Sequence, residues 1–120
     1  MSSEKKPKMS QITTHILDTS IGKPVPGITI TLYIGENDEW TEISRGKTNE
    51  DGRNADLLQK DRVLQRGIYK LRFETKDYFD RNQVRTFYPY IEIIFDIQAN
   101  EHYHVPLLLN PFGYSTYRGS

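Results

Sequence analysis

The sequence contains no cysteine among its 120 residues. Disulfides, thiolate nucleophiles, zinc–thiolate centres and iron–sulfur clusters are therefore excluded, and the lack of disulfides mildly favours a reducing compartment. An excess of charge of one sign is also missing, because 16 basic side chains balance 16 acidic ones. A neutral chain offers no electrostatic reason to expect a nucleic acid or an anionic membrane as its partner.

Long hydrophobic runs are absent as well. No stretch approaches the roughly 20 apolar residues that span a bilayer. Residues 1–10 contain lysine, serine and proline without an apolar centre, so they do not read as a secretory signal. We expect a disordered lead-in over residues 1–10 and a single domain over residues 11–120, since a chain of this length has room for one compact domain.

Alanine, the best helix former, occurs only twice, whereas valine, isoleucine and threonine together number 26. This composition favours sheet over helix. Alternating patterns between turn signals predict strands over residues 12–18, 28–34, 40–46, 68–75, 90–97, 103–109 and 114–118. Residues 57–65 are ambiguous between a loop and a short strand, and residues 76–84 fit one short helix. Seven or eight short strands at this spacing are typical of an all-β, two-sheet antiparallel sandwich.

Several motifs that carry chemistry are missing. The sequence has no Gly-x-Gly-x-x-Gly, no phosphate-binding P-loop, no Gly-x-Ser-x-Gly and no His-Glu-x-x-His. Nucleotide cofactors and serine nucleophiles therefore have no support from motifs. Three histidines remain as the only side chains that titrate near neutral pH without a perturbed pKa.

The histidines and one arginine are the candidate functional residues. His102 and His104 are two apart in a predicted strand, so their side chains emerge on one face. They could act as a base and an acid on water, bind a metal with His15, or form an exposed polar edge. His15 lies inside a predicted strand, where a histidine is more often structural. Arg53 follows the turn Asp51-Gly52 and could bind a carboxylate or a carbonyl, or be merely solvated.

Three blocks of residues carry a family resemblance. They are Thr14-His15-Ile16-Leu17-Asp18-Thr19 with Gly22-Lys23-Pro24, then Thr48-Asn49-Glu50-Asp51-Gly52-Arg53, and then His102-Tyr103-His104-Val105-Pro106-Leu107-Leu108-Leu109 with Gly113-Tyr114-Ser115-Thr116-Tyr117-Arg118-Gly119-Ser120. With these blocks the chain resembles, over about residues 12 to 120, the transthyretin-related enzymes that hydrolyse 5-hydroxyisourate, a product of urate oxidation. The terminal Tyr-Arg-Gly-Ser separates those enzymes from the hormone carrier transthyretin.

The resemblance implies a fold and an assembly. The fold is the transthyretin-like two-sheet β-sandwich with one short helix. The assembly is a homotetramer made of two dimers, with active sites where the dimers face each other across a central channel.

The resemblance also implies roles for individual residues. His15 and His104 match the catalytic histidines, and Arg53 matches the substrate-binding arginine. Tyr117 and Ser120, with its terminal carboxylate, match residues close to the substrate, and His102 is a further candidate there. No metal and no organic cofactor are implied.

The activity that the resemblance implies is hydrolysis of 5-hydroxyisourate to 2-oxo-4-hydroxy-4-carboxy-5-ureidoimidazoline, with water activated by histidine. The competing interpretations are a carrier of small aromatic ligands such as thyroid hormone and a metal-dependent hydrolase that uses the three histidines. Lys8-Met9, then five residues, then His15-Ile16 loosely resembles a peroxisomal signal, although His15 and Ile16 also fit the first strand. We therefore expect the protein in the cytosol or the peroxisome.

Overall fold

The computed structural model describes residues 10–120. Most of the expected lead-in, together with Lys8 and Met9 of the signal-like pattern, lies outside the described residues. Ser10 itself is buried. Its hydroxyl donates to the carbonyl of Ile12 at 2.8 Å and accepts from the N–H of Leu58 at 3.2 Å. The contacts of the described fold therefore begin at Ser10.

The described chain forms two sheets and one short helix, which confirms the predicted all-β, two-sheet sandwich. The elements are β1 (Ile12–Asp18), β2 (Lys23–Pro24), β3 (Thr29–Glu36), β4 (Glu39–Lys47), β5 (Arg53–Asn54), β6 (Gly67–Phe73), α1 (Thr75–Arg81), β7 (Ile91–Ile97), β8 (Tyr103–Asn110) and β9 (Gly113–Thr116). The strands that the pattern did not predict, β2 and β5, have two residues each, which is too short for an alternation to be visible.

One sheet has five strands in the order β2-β1-β8-β9, with β5 also paired to β1, and the other has four in the order β4-β3-β6-β7. Every pair is antiparallel except β1 with β8, which is parallel. In that pair Thr13 lies opposite His104 and His15 lies opposite Pro106. The parallel pairing therefore brings residues from opposite ends of the chain into one register.

The hydrophobic core lies between the sheets. Its largest fully buried side chains are Tyr69, Phe73, Phe79, Ile12, Ile16, Ile28, Ile30, Leu32, Leu71, Ile91, Ile97 and Leu107. Each such aliphatic or aromatic side chain contributes about 1.5–3 kcal/mol by leaving water. Because Ile12 and Ile16 of β1 point into this core, the alternation of the strand turns Thr13 and His15 to the opposite, outer face.

The helix α1 is shorter than the predicted 76–84, because Asn82 already serves as its C-cap and Gln83 adopts a left-handed φ of 56°. Phe79 anchors the helix in the core. The Tyr78 hydroxyl donates to Oδ2 of the buried Asp18 at 2.6 Å, which ties the helix to the end of β1. Among residues 10–120, no helix has the length and the apolar character needed to cross a bilayer.

Pro106 lies in β8, which is an inner strand and not an edge. The ladder between β8 and β9 ends at the pair Leu107–Thr116, next to this proline. There the Thr116 hydroxyl donates to the Pro106 carbonyl at 2.6 Å. The missing N–H of the proline thus coincides with the point where backbone pairing to β9 stops.

Candidate active site

The candidate site lies on the outer face of the five-stranded sheet, where β1, β5 and β8 meet. His102 precedes β8 and His104 lies within it. Both imidazoles project to the outer face, while Tyr103 between them is buried on the opposite face. This is the placement that the two-residue period of a strand predicts.

Thr13 of β1 connects the two imidazoles. Its Oγ1 atom lies 2.8 Å from His102 Nε2 and 2.8 Å from His104 Nδ1. The imidazole rings are nearly parallel, with centroids 6.4 Å apart and an angle of 22° between the planes. Thr13 itself is buried beneath them. The parallel register of β1 and β8 produces this bridge, because it sets Thr13 directly beside His104.

Arg53 reaches the site through a tight turn. Asn49 Oδ1 accepts the backbone N–H groups of Asp51 and Arg53 at 2.9 and 3.0 Å. Gly52 has a φ of +73°, and a Cβ there would lie 2.6 Å from the Ile16 carbonyl oxygen, so only glycine fits. The turn delivers Arg53 to a position opposite His15 in the β1–β5 pair.

Arg53 is exposed, and none of the carboxylates described in the structure forms an ion pair with it. Its guanidinium therefore keeps its planar set of donors available for a ligand.

The C-terminal segment folds back onto the site. The N–H of Gly119 donates to the His104 carbonyl at 2.8 Å, and the Arg118 guanidinium donates to the His102 carbonyl at 3.0 Å while lying 4.3 Å from the Tyr103 ring centroid. A Cβ on Gly119 would come within 2.5 Å of His104 Cδ2. The segment therefore packs against the histidines, and the absence of a side chain at Gly119 permits the close approach.

These side chains surround a cavity of about 180 Å³. It is lined by Thr13, Thr14, Arg53, Asn54, Ala55, His102, His104 and Ser120. Four of the residues predicted for the site thus converge on it, namely Arg53, His102, His104 and Ser120. His15 is not part of the lining and lies beside it as the cross-strand neighbour of Arg53.

Tyr117 is not brought to this cavity within the single chain. It is 58% exposed and lines a separate groove of about 370 Å³ between β7 and the C-terminal segment. That groove is larger but contains no imidazole, so the groups capable of proton transfer are concentrated in the smaller cavity.

The pKa values of all three histidines are lowered, in each case chiefly by burial. The positive charge of Arg53 further lowers the pKa of His15 and His104, and Arg118 does the same for His102. His104 is also affected by the other two imidazoles. Both effects disfavour the charged form, so the site holds neutral imidazoles that can accept a proton near pH 7.

The site has few side chains arranged to bind a metal ion. In the part of the chain that the structure describes, no group of three or more histidine or carboxylate side chains is arranged to hold a metal ion. His102 and His104 instead direct one nitrogen each at the same threonine hydroxyl.

Thr13 and Gly119 shape the site but were not among the residues predicted from the sequence. Thr13 had a usable signal, because it lies two positions before His15 and must share its face of β1. No sequence signal indicated a role for Gly119, because its close contact with His104 depends on the C-terminal segment folding back across β8.

The chain is similar in sequence and in structure to several known proteins. The 5-hydroxyisourate hydrolase of Halalkalibacterium halodurans is 47% identical over 116 residues, covering 92% of this chain and 98% of its own. The solved structure of Klebsiella pneumoniae 5-hydroxyisourate hydrolase is 37% identical, with a TM-score of 0.78 over 91% of this chain and 98% of that one. Sea bream transthyretin, solved in complex with thyroxine, is 28% identical, with a TM-score of 0.84 over 91% and 94%. The family model described as HIUase/Transthyretin matches residues 12–119, and the chain belongs to that family.

Proposed function

We propose that this protein hydrolyses 5-hydroxyisourate to 2-oxo-4-hydroxy-4-carboxy-5-ureidoimidazoline. The observation that carries the proposal is the cavity that His104 and the unpaired Arg53 line together. The names of the Halalkalibacterium and Klebsiella relatives support it.

The proposed mechanism activates a water molecule with histidine. His104, assisted by His15, accepts a proton from water as the water oxygen attacks the ring carbonyl. The carbon–nitrogen bond of the ring amide then breaks, and the same proton is returned to the leaving nitrogen. The lowered pKa of His104 supports this role, since it keeps the ring neutral and able to act as a base.

Arg53 is proposed to bind the substrate and to stabilise the negative charge that develops on the carbonyl oxygen. A guanidinium is suited to this because its donors are held in a fixed plane. Tyr117 is proposed to orient the ring, with Ser120 and His102 as further contacts. Ser120 and His102 already line the cavity. Proton transfer and charge stabilisation by these groups require neither a metal nor an organic cofactor.

A homotetramer built from two dimers is part of the proposal, with the sites at the interface between dimers. Both sheets end in open strand edges, at β7 and at β9, and unpaired edges are ready to join a second chain. Large apolar side chains are exposed nearby, including Ile94 at 59% and Phe112 at 63%. A partner chain over the outer face would also shield the shallow cavity from water and could bring Tyr117 towards a site.

The decisive experiment generates 5-hydroxyisourate with urate oxidase and follows the ultraviolet decay of the product with and without this protein. We expect faster decay in its presence, and the same rate after treatment with a strong chelator. Decay at the spontaneous rate would refute the proposal, and activity lost to the chelator and restored by a metal would support the metal-dependent alternative. Light scattering should give about four times the chain mass of 14.0 kDa.

A non-enzymatic carrier of small aromatic ligands is the second candidate. It is favoured by the fold likeness to a transthyretin solved with thyroxine. Thyroxine binding measured by calorimetry, together with no effect on 5-hydroxyisourate decay, would establish the carrier instead.

For the compartment we propose the cytosol or the peroxisome. A fluorescent fusion that keeps residues 1–16 intact, compared with one in which Lys8 and Met9 are replaced by alanine, tests the signal-like pattern. Loss of peroxisomal localisation in the second fusion alone would support a targeting role for Lys8 and Met9.

A further inference from the structure

One hydroxyl group serves two imidazoles in this site. Thr13 Oγ1 is 2.8 Å from His102 Nε2 and 2.8 Å from His104 Nδ1. A threonine hydroxyl carries a single hydrogen, so it can donate to only one of these nitrogens and must accept from the other. The two histidines are therefore not independent, because the tautomer of one dictates the tautomer of the other.

Only two arrangements of hydrogens satisfy both bonds. In the first, His104 donates from Nδ1 to Thr13, and Thr13 donates to His102 Nε2. This leaves an unprotonated Nε2 on His104, which is what a base needs. In the second, His102 donates from Nε2 to Thr13, and Thr13 donates to His104 Nδ1. A neutral His104 then carries its proton on Nε2, which is what an acid needs.

We propose that Thr13 is a positioning residue that relays a proton between His104 and His102, and so switches His104 between its base form and its acid form. This inference rests on the proposed hydrolysis, because the reaction needs a base for water and then an acid for the leaving nitrogen.

Over one turnover, His104, Thr13 and His102 together gain and lose the same number of protons. His104 Nε2 takes a proton from water while its Nδ1 proton moves to Thr13 Oγ1 and the hydroxyl proton of Thr13 moves to His102 Nε2. His104 is then neutral with its proton on Nε2, and His102 carries the positive charge. When His104 Nε2–H protonates the leaving nitrogen, the two transfers run backwards and the starting arrangement returns.

The surrounding charges give a reason for moving the positive charge away from His104. His104 faces Arg53 from β5, His15 from β1, and His102, whereas His102 faces the positive charge of Arg118. An imidazolium on His104 would stand beside the unpaired guanidinium of Arg53. The positive charge near His102 is partly neutralised, because Arg118 lies 3.6 Å from the carboxylate of Glu101.

Thr13→Val and Thr13→Ser are matched variants for the test. Valine keeps the shape of threonine without the hydroxyl, whereas serine keeps the hydroxyl. In the 5-hydroxyisourate assay we expect Thr13→Val to lower kcat by about 10²-fold, at the lower end of what general acid–base catalysis contributes, with little change in KM. Thr13→Ser should restore most of kcat. Equal kcat values for Thr13→Val and the wild type would overturn the relay.

His102→Gln gives a second test that leaves Thr13 in place. The relay predicts that His102→Gln lowers kcat about as much as Thr13→Val does. The double variant should be no slower than the slower single variant, because both substitutions interrupt the same proton transfer. Losses that multiply in the double variant would contradict a shared pathway. If Thr13→Val does not fold, the single variant His102→Gln decides the question, because a kcat equal to that of the wild type in this variant would overturn the relay.

Nitrogen NMR of the imidazoles without substrate separates the relay from the proposed function. At neutral pH we expect the proton of His104 on Nδ1 in the wild type and a mixture of tautomers in Thr13→Val. A proton on His104 Nε2 in the wild type would refute the proposed starting state, whatever the activity. A wild type with the expected tautomer but no hydrolysis would refute the proposed function and, with it, the transfer from water. Hydrolysis by both the wild type and Thr13→Val at one rate would refute the relay alone.

Discussion

The outer faces of the two sheets both carry clustered charges, but the clusters are organised in opposite ways. On the four-stranded sheet, Lys70 and Arg72 lie 3.2 and 3.5 Å from the carboxylate of Glu92. Aromatic rings cover these cations: Lys70 lies 4.4 Å from the Trp40 ring centroid, and Arg72 lies 3.7 Å from that of Tyr90. Each cation is satisfied from within the chain.

On the five-stranded sheet, Arg53 has no carboxylate ion pair among the described residues. The imidazoles beside it are held neutral by burial and by its charge. The comparison separates two uses of a charged sheet face. A paired and covered cluster stabilises the fold, whereas an unpaired cluster beside a cavity leaves binding capacity for a ligand.

His104→Gln should produce the largest effect on the cavity side. Glutamine keeps a polar group of similar length but cannot act as a base near neutral pH, so we expect kcat/KM to fall by about 10²- to 10⁴-fold. The urate-oxidase-coupled assay measures this, with circular dichroism and light scattering to verify the fold and assembly. Wild-type kcat/KM in a folded variant would exclude His104 as the base.

Arg53→Lys tests whether the shape of the unpaired cation matters as well as its charge. Lysine keeps the charge but loses the planar donors, and we expect kcat/KM to fall by about 10²-fold, the usual cost of removing one donor to an oxyanion. Arg45→Lys is the control, because Arg45 is exposed on β4 and paired with Glu42. A loss of equal size in the control would contradict a specific role for Arg53.

Gly119→Ala tests the close contact of the C-terminal segment with the imidazole. The added Cβ would lie 2.5 Å from His104 Cδ2, so either the ring or the segment must move. We expect kcat/KM to fall by about 10- to 100-fold through misplacement of the base. Gly113→Ala is the matched control, since a Cβ there meets nothing closer than 3.7 Å. Equal activities of the two variants would show that the contact is unimportant.

Glu92→Gln breaks the cluster on the opposite sheet and should leave kcat/KM unchanged. It removes the carboxylate from a Lys70 whose side chain is only 9% exposed, while Glu92 itself is 30% exposed. The free energy of unfolding should therefore fall by about 1–2 kcal/mol, between the values for surface and buried pairs. Urea denaturation at fixed protein concentration measures this. A drop in activity without a drop in stability would show that the paired cluster around Glu92 serves the site and not the stability of the fold.

The smallest effect concerns pH. Burial and Arg53 lower the pKa of His104, and the neutral ring is the active form, so kcat/KM should rise with pH through an apparent pKa below the ordinary value of about 6.5. Removing the nearby charge in Arg53→Gln should raise the pKa values of His15 and His104. NMR titration of the imidazole protons measures both, and pKa values unchanged from the wild type would show that Arg53 does not act on them.

The fold was largely predictable because its signals are local. The alternation of Ile28, Ile30, Leu32 and Ile34 with polar residues indicates a half-buried strand without reference to any other segment. The two-residue strands β2 and β5 could not be predicted in this way, because a pattern needs more than two residues and their pairing to β1 depends on the turns before them.

The candidate site was predictable in part, and for a different reason. His102 and His104 share a face by strand geometry, and the residue blocks shared with a known family identified Arg53, Ser120 and Tyr117 as candidates. The position of Tyr117 outside the cavity could not be derived, because it depends on how the chain runs after β9. A site formed by more than one chain would also leave no trace in the order of residues within one chain.

Residue order alone thus accounts for the neutral charge, the absence of thiol chemistry, the β-rich pattern and the face on which each strand residue projects, because these follow from composition and a period of two. The separation of His15 and His104 along the chain gives no sign that they lie in neighbouring strands. The parallel pairing of β1 with β8 places them there, with His15 opposite Pro106 and His104 opposite Thr13, and the short β5 brings Arg53 opposite His15. Register between distant strands is set by packing of the whole core. The hydroxyl of Thr13 therefore bridges His102 and His104, and the charge of Arg53 acts on His15 and His104, only in the folded protein.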